Sequence, residues 1–193
     1  MNKIFTRTLA AVSAVLICAG TATATTMPKA DIQQGRNYFG IGLGGPSLSL
    51  DFGLTNKFSL GASASLNYLW RYAGGRNAVT GYQWYVPRFD IRGLYQFIEG
   101  GSNGLSVAGI FGIVGDPSQA FGSGDWGPEL GIGLSYPFTP TITGRANLVA
   151  GYGGRFFAAP ASGLELAFKL QPNMELAIAA NGNGDLLGLR IGF

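Results

Sequence analysis

The sequence predicts an all-β fold, a closed antiparallel transmembrane β-barrel of ten strands, and three observations carry that expectation. Segments with one apolar face follow one another from about residue 37 to residue 193, separated by Gly, Pro, Asn and Thr. Only 12% of the 193 residues are charged, and 32 are glycine. That is about half the charge of a typical soluble domain, and a water-facing surface is hard to build from so little. After residue 24 no apolar run approaches the roughly 20 residues of a membrane helix, whereas a barrel strand needs apolar residues only at alternate positions.

The chain begins with Lys3 and Arg7, an apolar stretch from Leu9 to Ala19 too short to span a bilayer, and the small residues Ala22-Thr23-Ala24. This pattern reads as a secretory signal, residues 1–24, that is removed. Residues 25–35 show no alternation and read as a periplasmic lead-in; residues 36–193 form the barrel. The one cysteine, Cys18, lies within the signal and follows Ile17 rather than a small residue, which argues against lipidation. Taking Lys3 and Arg7 away leaves 13 − 2 = 11 basic residues against 10 acidic, so the net charge falls from +3 to +1. No basic stripe remains for nucleic acid.

Ten strands follow by parity. Tyr38–Gly44 turns Phe39, Ile41 and Leu43 outward. After Gly45-Pro46 the parity flips, and Leu48, Leu50, Phe52 and Leu54 share a face. Lys57–Trp70 alternates Phe58, Leu60, Ala62, Ala64 and Leu66 with Ser59, Gly61, Ser63 and Ser65, a polar face that is almost entirely small. Tyr82–Phe97 aligns Phe89, Ile91, Tyr95 and Phe97, with a bulge expected near Val86-Pro87, since Pro cannot donate to a ladder. Leu105–Val114, Leu130–Phe138, Ile142–Tyr152, Leu164–Leu170, Met174–Ala180 and Leu187–Phe193 complete the set. With both chain ends in the periplasm the number must be even; eight is the alternative, if two adjacent pairs are single bent strands.

Tight turns at Thr55-Asn56, Glu99–Asn103, Thr139-Pro140 and Gln171–Asn173 would face the periplasm, and the connections between them would be outer loops. Trp70, Trp84 and Trp126 then fall at the outer strand ends and Phe97, Phe138 and Phe193 at the inner ends, as two aromatic girdles would. Loop residues Arg71, Arg76 and Arg155 are candidates for lipopolysaccharide phosphates, with Phe156-Phe157 beside them. Interfacial anchoring is the plainer reading of this rim.

The faces opposite the apolar stripes carry Asp51, Arg88, Asp90, Arg92, Glu129, Arg145, Glu165, Lys169, Glu175 and Arg190. Five acidic and five basic residues thus point inward, and none points to lipid, where a charge at mid-bilayer costs about 2–4 kcal/mol. Such a balance predicts paired charges that fill the barrel, with a narrow polar pore as the rival. A three-residue turn at Gln171–Asn173 sets Lys169 opposite Glu175. An outer loop centred near residue 155 levels Arg145 with Glu165. A turn at Gly182-Asn183 puts Arg190 opposite Glu175, whereas one at Asn183-Gly184, the better type I′ turn, offsets them by one pair. Arg88, Asp90 and Arg92 would have to reach across to Glu129 or Asp51.

Histidine is absent, and cysteine is absent after residue 24, which removes Ser-His-Asp triads, Cys-His pairs and His-based metal sites. The inward carboxylates lie beside Arg or Lys, which keeps them ionised rather than proton-donating. No enzyme, cofactor or metal is expected. Two matches to G-x-G-x-x-G, at Gly40–Gly45 and Gly122–Gly127, have no helix after them and do not signal a dinucleotide.

The last nine residues, Asp185–Phe193, place Leu187, Leu189, Ile191 and Phe193 on one face and Gly188, Arg190 and Gly192 on the other. A strand of this kind ending in Phe resembles the last strand of small outer-membrane barrels of the OmpA/OmpX-like class. The resemblance implies the outer membrane as location, lipid and lipopolysaccharide as surroundings, and a barrel-assembly machinery that reads Leu189, Ile191 and Phe193. The role expected is structural or surface-interacting, within the cell envelope. A soluble barrel holding an apolar ligand, like a lipocalin, would need the faces reversed.

Overall fold

The computed structural model describes residues 26–43, 46–66, 87–101, 104–116, 125–152, 156–182 and 185–193. The expected signal segment, Val86 of the expected bulge, Trp70, Trp84, Arg71, Arg76 and Arg155 lie outside them. The strands are β1 (Asn37–Leu43), β2 (Ser47–Gly53), β3 (Phe58–Leu66), β4 (Pro87–Ile98), β5 (Ser106–Asp116) and β6 (Asp125–Pro137), then β7 (Ile142–Tyr152), β8 (Phe156–Ala158), β9 (Gly163–Gln171), β10 (Met174–Asn181) and β11 (Leu187–Gly192). All pairings are antiparallel.

Ten of these close a ring, from β1 through β7, then β9, β10 and β11 back to β1. The fold is therefore a closed ten-stranded antiparallel barrel. The seam pairs Tyr38 with Gly192 through to Leu43 with Leu187, and Phe193 N donates to Asn37 O at 3.1 Å. Closure pairs each of the ten ring strands with a neighbour on both sides. We call the end that carries the tight turns the turn end and the opposite end the loop end.

Alternation decides which way each strand faces. Leu148 and Leu130 stand 78% and 71% exposed on the outside, whereas Arg92, Asp90 and Glu129 on the opposite parity are 0%, 1% and 2% exposed. The apolar stripes thus face outward, so the soluble-barrel alternative with reversed faces is overturned. Phe97, Phe138 and Phe193 are exposed at the turn end, and Trp126 at the loop end.

Two elements depart from expectation. β6 starts at Asp125 rather than near Leu130, because Gly127 and Pro128 interrupt the apolar pattern. Pro128 lies one residue beyond the last β6–β7 pair, Glu129 with Gly151, where β6 is paired on one side only and a residue without an N–H is tolerated. The second is β8, a three-residue ladder against β7 that sets Tyr152 opposite Phe156 and belongs to no expected strand. Register shifts occur at Gln96/Ile98 and at Met174/Glu175.

An eight-stranded barrel is just filled by its own side chains; ten strands enclose more. Here much of the inner wall is Gly and Ser, as in Ser47, Ser49, Gly61, Ser63 and Ser65. Two inserts occupy the space. One is the expected lead-in, which runs inside the barrel: Thr26, Met27 and Ala30 are buried. Gly35, at φ +72°, makes the turn that joins this strap to β1, and Gly35 N donates to Gly53 O at 2.8 Å. The other is the turn Ala159–Ser162, whose Ala159 N donates to Val149 O at 3.0 Å and whose Ser162 O accepts from Gly182 N at 2.7 Å. Ile32 of the strap, Ala159 and Ala161 pack on Leu94, Ile110 and Val149 of the wall, a small apolar core inside a polar lumen.

Candidate functional site

Charged side chains inside the barrel lie at two levels, each built by register. Toward the loop end the ladders align Asp51 with Gly61, Gly61 with Arg92, Arg92 with Gly112 and Gly112 with Glu129. Glycine between charged residues lets long side chains lie flat on the wall. A Cβ on Gly61 would collide with Asp51 Oδ1, and one on Gly112 would stand 3.0 Å from Glu129 Oε1. Arg92 binds Asp90 with one Nη and reaches Asp51 Oδ1 at 3.1 Å with the other. Asp90 also accepts from Ser63 Oγ. Arg88 Nη1 donates to Gly182 O at 2.8 Å. Glu129, at the end of this row, has neither oxygen hydrogen-bonded among the described residues.

Toward the turn end the ladders set Arg145 opposite Glu165, Lys169 opposite Glu175 and Glu175 opposite Arg190. Arg145 binds Glu165, and its Nη2 lies 3.0 Å from Glu175 Oε2. Arg190 Nη1 lies 3.2 Å from Glu165 Oε1 and 2.9 Å from Glu175 Oε2. Lys29 of the strap adds a cation, 2.9 Å from Glu175 Oε1 and 3.5 Å from Asp31, and Asp31 accepts from Ser135 Oγ at 2.9 Å. Its ammonium also sits 4.4 Å from the ring centroid of Tyr38. Lys29, Arg145 and Arg190 are thereby balanced against Asp31, Glu165 and Glu175, the condition under which buried charges are tolerated. A cavity of about 300 Å³ opens beside this cluster at the turn end.

The strap is held mainly by its backbone. Asp185 Oδ2 accepts from Thr26 N at 3.0 Å and from Thr26 Oγ1 at 2.9 Å. Arg92 Nη2 donates to Thr26 O at 3.1 Å, Arg190 Nη2 to Met27 O at 2.6 Å, and Asn147 Nδ2 to Pro28 O at 3.0 Å. Ile32 N donates to Gln96 Oε1 at 3.2 Å. Asp185 lies in the connection before β11, held by Asn181 Nδ2 at 2.8 Å and by Ser47 Oγ. Burial pushes its carboxyl above the usual carboxylate range, against the lowering effect of those hydrogen bonds.

The structure brings eight of the ten expected inward charges into contact with carbonyls or partners of opposite charge. Arg92 reaches Asp51, not Glu129. Lys169 faces Glu175 in register but is exposed at the turn-end mouth, and Lys29 takes the contact instead. The pairing of Arg190 with Glu175 is the offset expected of a turn at Gly182-Asn183, not of one at Asn183-Gly184. Sequence reasoning missed Thr26, Met27, Lys29, Asp31, Gln96, Asn147 and Asp185. Only the opposite charges of Lys29 and Asp31, two residues apart, were a signal, because a segment bound through its backbone needs no side-chain pattern.

Chemically this lumen can hold charges and backbone groups in place. Among the described residues no three His, Cys, Asp or Glu side chains group to hold a metal ion. Of the five expected inward carboxylates, Asp51, Asp90, Glu165 and Glu175 face Arg, whereas Glu129, expected to do the same, has no hydrogen-bonded partner among the described residues.

No family model matches the chain, and no curated protein matches it in sequence. Among solved structures, the N-terminal β-barrel domain of OprF from Pseudomonas aeruginosa is similar at 16% identity and a TM-score of 0.41, covering 83% of this chain and 98% of that domain.

Proposed function

We propose that this chain is an integral outer-membrane β-barrel whose charge-paired, strap-filled interior makes it a structural or surface-interacting component of the cell envelope. The observation that carries this reading is the inversion of faces in a closed barrel: Leu130 and Leu148 outside, Arg92 and Glu129 buried within. Such a surface needs lipid around it, since water would solvate the opposite arrangement. The turn end then faces the periplasm and the loop end the exterior, residues 1–24 are a cleaved secretory signal, and the assembly machinery reads Leu189, Ile191 and Phe193. No enzymatic activity is part of this reading.

Fractionation tests it. The protein should stay in washed membranes through carbonate and urea and leave only in detergent, and release by carbonate alone would contradict a membrane-spanning barrel. The rim arginines Arg71, Arg76 and Arg155 are proposed to bind lipopolysaccharide phosphates. Changing all three to Gln should lower the lipid A that co-purifies in detergent; unchanged retention would remove that contact. A second reading, a narrow passive pore for small polar solutes, draws on the cavity at the turn end and on Glu129, which has no hydrogen-bonding partner among the described residues.

A further inference from the structure

We propose that the strap is a detachable plug: the lumen is a binding site for one extended peptide, occupied by the chain's own residues 26–34, and removing that occupant opens a polar pore. This rests on the membrane-barrel reading above.

The contacts are those of peptide recognition. Thr26 N and O, Met27 O, Pro28 O and Ile32 N are all satisfied by wall side chains, namely Asp185, Arg92, Arg190, Asn147 and Gln96. These come from β4, β7, β11 and the connection before β11, so the wall surrounds the segment rather than touching it along one side. Backbone hydrogen bonds supply most of the hold, and side chains fix the register: Thr26 Oγ1 on Asp185, Lys29 on Glu175, Asp31 on Ser135, and Ile32 in the apolar cluster with Leu94, Ile110 and Val149.

The strap also lies along the axis. Thr26 meets Asp185 near the loop end, whereas Gly35 and Arg36 meet Gly53 at the turn end: Gly35 N donates to Gly53 O at 2.8 Å, and Gly53 N to Arg36 O at 3.1 Å. Residues 33–36 are exposed, and the positive φ of Gly35 falls within that exposed turn. A release at Thr26–Ile32 therefore needs only this turn to swing, with no strand of the barrel unpaired. What stays behind is a wall mostly of Arg, Asn, Gln, Asp, Glu and small residues, with the Leu94, Ile110 and Val149 patch and the Ala159–Ser162 turn still in place, and its polar groups must be hydrated once the strap's backbone groups leave. A hydrated ten-stranded lumen is a pore.

The test is single-channel recording in planar bilayers of protein lacking residues 25–34, beside the intact chain. The shortened barrel should give steady openings, and a synthetic peptide of residues 26–34 should close them with one-to-one saturation. A peptide carrying Lys29→Ala should close them at least tenfold less well. A folded shortened barrel that stays silent would overturn the plug, as would openings that the peptide leaves unchanged. If the shortened chain does not fold, full-length protein with Asn147→Ala and Asp185→Ala, which removes the acceptor for Thr26 and the donor to Pro28, should show intermittent openings, and silence there would overturn the proposal equally. Steady openings by the intact chain would instead defeat the filled-barrel reading, so the two failures are distinguishable.

Discussion

Arg190 of the last strand donates through Nη2 to the carbonyl of Met27 at 2.6 Å, so the strand that closes the barrel also grips the strap inside it. The same guanidinium neutralises Glu165 and Glu175. Closure and filling are thus joined at one side chain.

Replacing Arg190 by Met should destabilise the barrel by about 3–5 kcal/mol, because two buried carboxylates lose a partner. Urea unfolding in detergent measures it. Adding Glu165→Gln, which leaves Lys29 and Arg145 balanced against Asp31 and Glu175, should restore most of the stability but not the hold on Met27. A unique thiol at Met27→Cys, in protein lacking residues 1–24, should then react faster with a polar maleimide than it does in the otherwise unaltered barrel. Equal reactivity would mean that Arg190 does not hold the strap.

Much of this was legible in the sequence. Alternation in β3, flanked by Thr55-Asn56, fixes both its start and its faces, since a one-residue slip would reverse every side chain; its expected far end at Trp70 lies outside the described residues. The register of Arg145 with Glu165 follows from a loop centred near residue 155, whereas that of Glu175 with Arg190 was one of two that the turn residues allowed, and the less favoured one by turn type. The strap was not legible, because Thr26, Met27 and Pro28 are bound through N–H and C=O groups that every sequence has. Nor were the inward Leu94 and Ile110, whose apolar side chains make sense only once Ile32 is known to lie against them.

Glycine on the inner wall should discriminate by what a methyl group would meet. At Gly112 a Cβ would collide with Ile91 O, a backbone atom, whereas at Gly61 it would chiefly meet the movable Asp51 carboxylate. Gly112→Ala should cost about 1–3 kcal/mol and Gly61→Ala less, as compared by urea midpoints at equal slope. The reverse order would contradict the flat-lying charges.

The raised Asp185 carboxyl makes the stability of the barrel pH-dependent. Burial on folding makes this carboxyl bind its proton more tightly than in the unfolded chain, so its contribution is most favourable below the unfolded pKa and is lost as pH rises through the folded one. The urea midpoint of the intact protein, taken relative to that of Asp185→Asn, should therefore fall from acidic to neutral pH. A difference that stays constant with pH would place the titrating group elsewhere.

Phe193 is 65% exposed and touches Phe52 edge-on, with centroids 6.5 Å apart. Phe193→Ala should therefore change urea stability by no more than about 1 kcal/mol, while folded barrel in cell membranes falls several-fold if assembly machinery reads this residue. Equal loss in both measurements would make Phe193 a packing residue only.

The central claim is that the lumen of the native barrel is filled, and conductance of the intact purified protein in a planar bilayer tests it most directly. The account predicts a silent membrane at low voltage with folded protein inserted; steady, ion-selective openings would contradict it.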